Sequence, residues 1–440
     1  MNHSFHMSKI NYLNWWLIFC SALILLSLHH KAIHTQDNNQ LRYGLPVLPN
    51  ASGFGLDTEG GKGGQIIRVT NLNNSGAGSF REAIETPGPR IIVFEVGGVI
   101  DLGGATLRIE EPYVTIAGQT APSPGITLIK GELLVARTHD VIIQHITVRV
   151  GEAGRAKQSG FNKDAIGVGS SYNVIIDHCT ATWATDENLS VSGPRRRGTN
   201  PEEWRANTSH NVTVSNCIIA HGLRFSTNSK GSHSMGSLLH DSVREILIYG
   251  NLYAHNMWRN PFAKADTEVA IVNNYIYNFG ISAIHYEFTY DVWGDVDPLP
   301  VGVMVVKGNE IESGPSTTDT HTGKFHGPVK VYWEDTEKKI KTYGLEPVWL
   351  DSKPFWPEGL IALPRSEVKE WVLENVGSRP WDRDEITTRM ITEIRAGEGK
   401  IINSEIEAGG YPPFEAVYQE FKDQEWDMTT MTRKDGMPHF

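Results

Sequence analysis

The chain has 440 residues, of which 21% are charged and 40% hydrophobic, with a formal net charge of −11. That composition is too apolar for a disordered chain and the length too great for a minimal disulfide-stapled scaffold. The acidity argues against nucleic acid or a membrane surface as a partner. At ~150 residues per domain, length alone suggests two or three domains.

The first feature in chain order is an apolar run of about 15 residues from Asn14 to Leu28, shorter than the ~20 residues that a spanning helix needs. It fits the apolar region of a secretory leader. The expectation is a signal peptide over residues 1–33 and a secreted, extracellular or periplasmic, mature protein with no membrane attachment. Cys20 lies inside this run, which leaves Cys179 and Cys217 for the rest of the chain.

Next, Gly78-Ser-Phe-Arg-Glu-Ala-Ile-Glu85 predicts a short helix that starts at Ser79. Phe80, Ala83 and Ile84 share one face, suited to capping the open end of a stacked fold.

A degenerate repeat follows. Asp140-Val-Ile-Ile-Gln-His145 aligns with Asn173-Val-Ile-Ile-Asp-His178 and Asn211-Val-Thr-Val-Ser-Asn216. The pattern recurs at Ile246-Leu-Ile-Tyr-Gly-Asn251, Val269-Ala-Ile-Val-Asn-Asn274 and Met304-Val-Val-Lys-Gly-Asn309, and Tyr113-Val-Thr-Ile-Ala-Gly118 looks like an earlier copy. Each is a short β-branched run ending in His, Asn or Gly. Recurrence within ~20–50 residues signals a solenoid of stacked strands, and no long helical pattern separates the copies. Stacking at ~4.8 Å per rung predicts an asparagine ladder through Asn216, Asn251, Asn274 and Asn309. Cys179 and Cys217 take equivalent positions on neighbouring rungs, within reach of either a disulfide or two stacked thiols.

After about Gly314 the rhythm fails. Ser366–Glu374 and Arg383–Ala396 read as amphipathic helices of a tail that wraps or caps the solenoid. The domain expectation is a β-helix over residues 34–314 and a C-terminal extension over 315–440.

Several landmarks in order resemble the polysaccharide lyase family 1 of pectate lyases. They are Gly60-Gly-Lys-Gly-Gly64, Val69-Thr-Asn-Leu-Asn73, Gly76-Ala-Gly-Ser-Phe80, Thr115-Ile-Ala-Gly-Gln-Thr-Ala-Pro122, Asp164-Ala-Ile166, Val174-Ile-Ile-Asp-His178, Ala184-Thr-Asp-Glu-Asn188 and Arg259-Asn-Pro261. The resemblance runs from about Gly53 to Gly280. It implies an all-β, right-handed parallel β-helix and Ca²⁺-assisted β-elimination of galacturonan, so that the partner is an acidic polysaccharide acted on by a monomer.

Elimination needs a base for the proton beside the uronate carboxyl and a hard cation to stabilise the charge that develops there. Asp164, Asp186 and Glu187 are the candidate cation ligands. Ser190 stands where the family has a further carboxylate, and Asn162 where some members have Asp. Arg259 matches the arginine that the family uses as base, although an arginine pKa lies above ~12. Lys230, with Arg224 as the alternative, and Lys264 match substrate-holding basic residues.

The insertion Gly193-Pro-Arg-Arg-Arg-Gly198 puts Arg195 and Arg196 on a loop directly after the candidate ligands, where arginines suit carboxylates. Asp177 and His178 are neighbours on a strand and should face opposite sides, so the pair is read as structural. His221, His233, His255 and His285 have no zinc-like spacing. A hydrolase would need paired carboxylates about the scissile bond and its own motifs, which are absent. The alternatives are a non-catalytic, polysaccharide-binding β-helix and a lyase for another uronan.

Overall fold

The computed structural model describes residues 44–436, so the expected signal peptide lies outside the described residues. Among them, the repeated β-branched runs form a parallel β-helix of three sheets, with eleven, nine and nine strands. The first sheet runs from Gln65–Val69 to Val348–Trp349. The second runs from Thr106–Ile109 to Ile340–Tyr343, and the third from Val96–Asp101 to Glu310–Glu312, its ninth strand being Val417–Tyr418, antiparallel beside Val96–Asp101. Each coil visits the first, third and second sheet in turn, as in His139–Gln144, Ile146–Arg149 and Ile166–Gly169. Inward side chains such as Ile116, Ile143, Ile176, Val214, Ile248 and Ile271 fill the interior.

The corner between the first and third sheets explains why the repeats end in His, Asn or Gly. His145, His178, Asn216, Gly250, Asn273 and Gly308 all have left-handed backbone there, with φ between 48° and 65°. Gly adopts this conformation freely, and Asn and His are enriched in it. The next position carries the ladder. Asn274 Oδ1 accepts from the Asn251 backbone N–H at 2.9 Å, and Asn309 Oδ1 from that of Asn274 at 2.9 Å.

Asn216 is not in that ladder, contrary to expectation. Ser215 pairs with Tyr249, so Asn216 falls opposite Gly250 and Cys217 takes the ladder position, its N–H donating to Asn251 Oδ1 at 2.8 Å. Cys179 and Cys217 are stacked, buried and free thiols, with the Cys179 N–H donating to Cys217 Sγ at 3.4 Å.

The capping helix is Phe80–Glu85, with Ser79 accepting from the Glu82 N–H at 3.2 Å and Phe80, Ala83 and Ile84 buried. The domain boundary at 314 needs correction. Parallel rungs continue through Gly323–His326, Val329–Glu334, Ile340–Tyr343 and Val348–Trp349. Their sequence alternates apolar with charged residues, as in Val329-Lys-Val-Tyr-Trp-Glu334, so the β-branched rhythm is lost although the pairing is not.

Beyond them, helices Arg365–Asn375 and Glu385–Arg395 lay Val368, Val372, Leu373, Met390, Ile391 and Ile394 on the outer face of the third sheet. The first sheet is covered by Leu48, Phe54, Phe355 and Trp356 in one place and by Phe421, Trp426 and Met431 in another. No helix among the described residues is long and apolar enough to cross a membrane.

Candidate active site

The second sheet differs. Its outward column reads Leu134, Gly167, Ser190, Leu238, Phe262, His285, Lys324 and Lys341 on successive rungs. Four candidate residues enter at the start of three strands of this sheet, with Met235–Leu239 between the last two. Asp164 precedes Ile166–Gly169, Asp186 and Glu187 open Glu187–Ser192, and Arg259 lies on the turn before Phe262–Lys264. Parallel stacking therefore gathers residues far apart in sequence at one border of one sheet.

Each carboxylate has an intramolecular partner. Asp164 accepts from the Glu187 N–H at 3.0 Å and from the Ser190 hydroxyl at 2.5 Å. Asp186 lies 2.6 Å from His233 Nε2 and 3.3 Å from Lys230 Nζ. Glu187 forms an ion pair with Arg259. Burial, with the nearby charges of Glu132 and Asp186, pushes the Asp164 carboxyl up to about 8, against the Ser190 bond and the Arg259 charge. Burial acts the same way on Asp186, but the bonds and charges of His233 and Lys230 more than offset it and hold that carboxyl below its ordinary range. Burial also lowers the Arg259 guanidinium, opposed by the charges of Asp186, Asp164 and Glu287.

The carboxylates among these suit a hard divalent cation, which takes oxygen ligands, while the His233 ring nitrogen is engaged by Asp186. Asp186, Glu187 and His233 each bring a donor atom within 4.8 Å of the others, and Asp164 is raised by like charges that a cation would relieve. Ser190, where a carboxylate was sought, instead orients Asp164.

Lys264 ends its strand half-buried, and burial lowers its ammonium against the charge of Asp241. Arg195 donates to Asp241 at 2.7 Å. Arg196, expected to bind substrate, is held by neighbours in the structure. Both of its terminal nitrogens are taken by Asp295 at 2.8 and 3.0 Å, and its guanidinium lies over Trp204 and Trp293, so it braces the loop.

Glu132 and His233 are site residues that sequence reasoning did not select. Glu132 accepts from Thr106 at 2.9 Å and pairs with Lys163 at 3.6 Å. Its place beside Asp164 follows only from the register of Leu133 with Ile166.

Asp177 and His178 do touch, with Oδ2 to Nδ1 at 2.8 Å, because the left-handed backbone of His178 ends the strand alternation. Both are buried, and Asp177 also accepts from Gln144, Ser215 and Asn216 in the corner network.

The fold and this border define a parallel β-helix protein with a cluster of paired charged residues along one sheet. No family model matches the chain. It is 32% identical over 382 residues to the probable pectate lyase C of Neosartorya fischeri, covering 83% of this chain and 81% of that one. To the probable pectate lyase C of Aspergillus flavus it is 31% identical over 383 residues, again covering 83% and 81%. Among solved structures it is similar to the cedar-pollen allergen jun a 1, at 16% identity and a TM-score of 0.48, covering 74% of this chain and 92% of that one. It is also similar to a pectate lyase solved for its substrate specificity and anti β-elimination mechanism, at 14% identity and a TM-score of 0.49, covering 77% and 98%. The chain belongs to the pectate lyase family.

Proposed function

We propose that the protein is a secreted lyase that cleaves polygalacturonate by calcium-assisted β-elimination. The observation that carries this reading is the meeting of Arg259 with Asp164, Asp186 and Glu187 at one border of the second sheet. Calcium bound by these three carboxylates would supply Lewis-acid stabilisation of the charge that develops on the substrate carboxyl.

The chain's own residues divide the remaining work. Glu187 holds Arg259 by an ion pair, and burial weakens the grip of the guanidinium on its proton. Arg259, once its guanidinium has given a proton to solvent, takes the proton beside the uronate carboxyl; the electrons of that C–H bond form the new double bond as the glycosidic C–O bond breaks, and the leaving oxygen takes a proton from water. Lys230, 3.3 Å from Asp186, and Lys264 hold substrate carboxylates, and Arg195 offers a further guanidinium to them. His233 fixes the orientation of Asp186. The apolar run from Asn14 to Leu28 supports secretion.

The test is ultraviolet absorbance of the unsaturated product on polygalacturonate, with calcium and with chelator. Product formation that stops on chelation is expected. Binding of the polymer with no product on any uronan would favour a non-catalytic binding role.

A further inference from the structure

Asp241 lies two residues beyond the strand Met235–Leu239 and is 1% exposed. A buried carboxylate is costly unless it is paired and hydrogen-bonded. Its Oδ1 accepts from Trp293 Nε1 at 2.9 Å and its Oδ2 from Arg195 Nε at 2.7 Å, with His240 Nδ1 at 3.6 Å from Oδ2.

Holding Arg195 by Nε leaves its two terminal nitrogens without a partner among the described residues, on a side chain that is 41% exposed. Those two nitrogens form the edge that takes a carboxylate by two parallel hydrogen bonds. Leu239 pairs with Ala263 and the Ser242 N–H donates to the Ala265 carbonyl at 2.9 Å, which sets Lys264 on the rung beside Asp241. The half-buried Lys264 ammonium has no hydrogen-bond acceptor among the described residues. Two basic groups thus stand at the end of the second-sheet strands, one of them closing the strand that the Arg259 turn opens, and the buried acid beside them holds Arg195 directly.

We propose that Asp241 is a positioning residue, which sets Arg195 beside Lys264 to receive a free uronate carboxylate on a sugar unit next to the one at Arg259. This rests on the lyase reading and deepens it. A methyl ester lacks the anionic oxygens that this subsite needs, so Asp241 sets the preference for unesterified polymer through Arg195.

The experiment compares Asp241→Asn, Arg195→Ala, their double variant and Trp293→Phe on polygalacturonate and on a highly methyl-esterified polymer. Asp241→Asn should raise KM on polygalacturonate about tenfold, the scale of a lost charge-assisted bond, and leave kcat within about twofold. Arg195→Ala should match it, the double variant should add nothing, and the esterified polymer should show no such rise.

Trp293→Phe removes the other bond to Asp241 and should leave KM unchanged. The same KM rise in Trp293→Phe would reduce Asp241 to a brace for the helix Tyr290–Trp293 and overturn the proposal, as would an unchanged KM in a folded Asp241→Asn. If Asp241→Asn does not fold, Arg195→Lys decides, since it keeps the charge but loses the fork. A raised KM then supports the proposal and an unchanged one overturns it. If the wild type forms no unsaturated product, the lyase reading falls. Equilibrium binding of polygalacturonate still decides the subsite, through a weakening of about tenfold in Asp241→Asn or none.

Discussion

The second and third sheets are built from the same coils, yet they present opposite chemistry on their outer faces. The third sheet turns out Ile218, Ala220, Leu252, Ala254, Tyr275 and Tyr277, and two C-terminal helices cover them with Val372, Leu373, Met390 and Ile394. The second sheet turns out Ser190, His285, Lys324 and Lys341 in one column, and its strand starts carry Asp186, Glu187 and the Arg259 turn. One face spends its side chains on holding the tail. The other keeps titratable groups whose mutual fields shift one another, as a site for acid–base work requires.

The comparison predicts a separation of effects. Asp186→Ala, on the second sheet, should cut product formation on the order of a hundredfold or more, with the melting temperature nearly unchanged. It removes the anchor of His233 and Lys230 and no apolar packing. Leu373→Ala, under the tail, should do the reverse. Loss of a fully buried Leu side chain costs about 2–5 kcal/mol, measurable by denaturant unfolding, while kcat of the folded enzyme stays at the wild-type value. A variant that moved both quantities together would break the comparison.

The smallest effect concerns acid. His221 is stacked on His255 with ring centroids 4.6 Å apart at the corner that the tail covers. Burial, aided by the Arg389 charge, lowers His221 from 6.5 to about 4, against a bond that its ring donates to the Lys400 backbone. Burial and His221 lower His255 as well. The unfolded chain therefore binds the proton more readily between these values. Stability from neutral His221 is complete above about pH 6.5 and falls as pH drops toward about 4, by up to ~3 kcal/mol. His221→Asn should flatten that decline in denaturant titrations at neutral and acid pH. A slope equal to wild type would remove His221 from the account.

Much of this was legible in the residues and some of it was not. The β-branched runs ending in His, Asn or Gly announced stacked strands with left-handed corners, because few residue types tolerate that backbone. The capping helix and both tail helices were legible from apolar spacing. The place of Asn216 was not, since Asn216 and Asn251 each end a β-branched run and only the pairing of Ser215 with Tyr249 shows that Asn216 sits one position earlier. Nor was the role of Arg196, whose partners Asp295 and Trp293 are nearly a hundred residues away in the chain. Glu132 was hidden for the same reason, because its neighbour Asp164 arrives a full coil later. The strand pattern reveals which residues repeat. Side-chain company across rungs depends on loop lengths that carry no period.

Arg259 is where the account stands or falls. The most direct measurement is the rate of unsaturated-product formation by Arg259→Ala on polygalacturonate with calcium, beside its melting temperature and its calcium binding. The account predicts that product formation disappears while melting stays close to wild type and calcium still binds, because Arg259 pairs with Glu187 at a border that the core does not depend on. A folded variant that still makes product at the wild-type rate would contradict it.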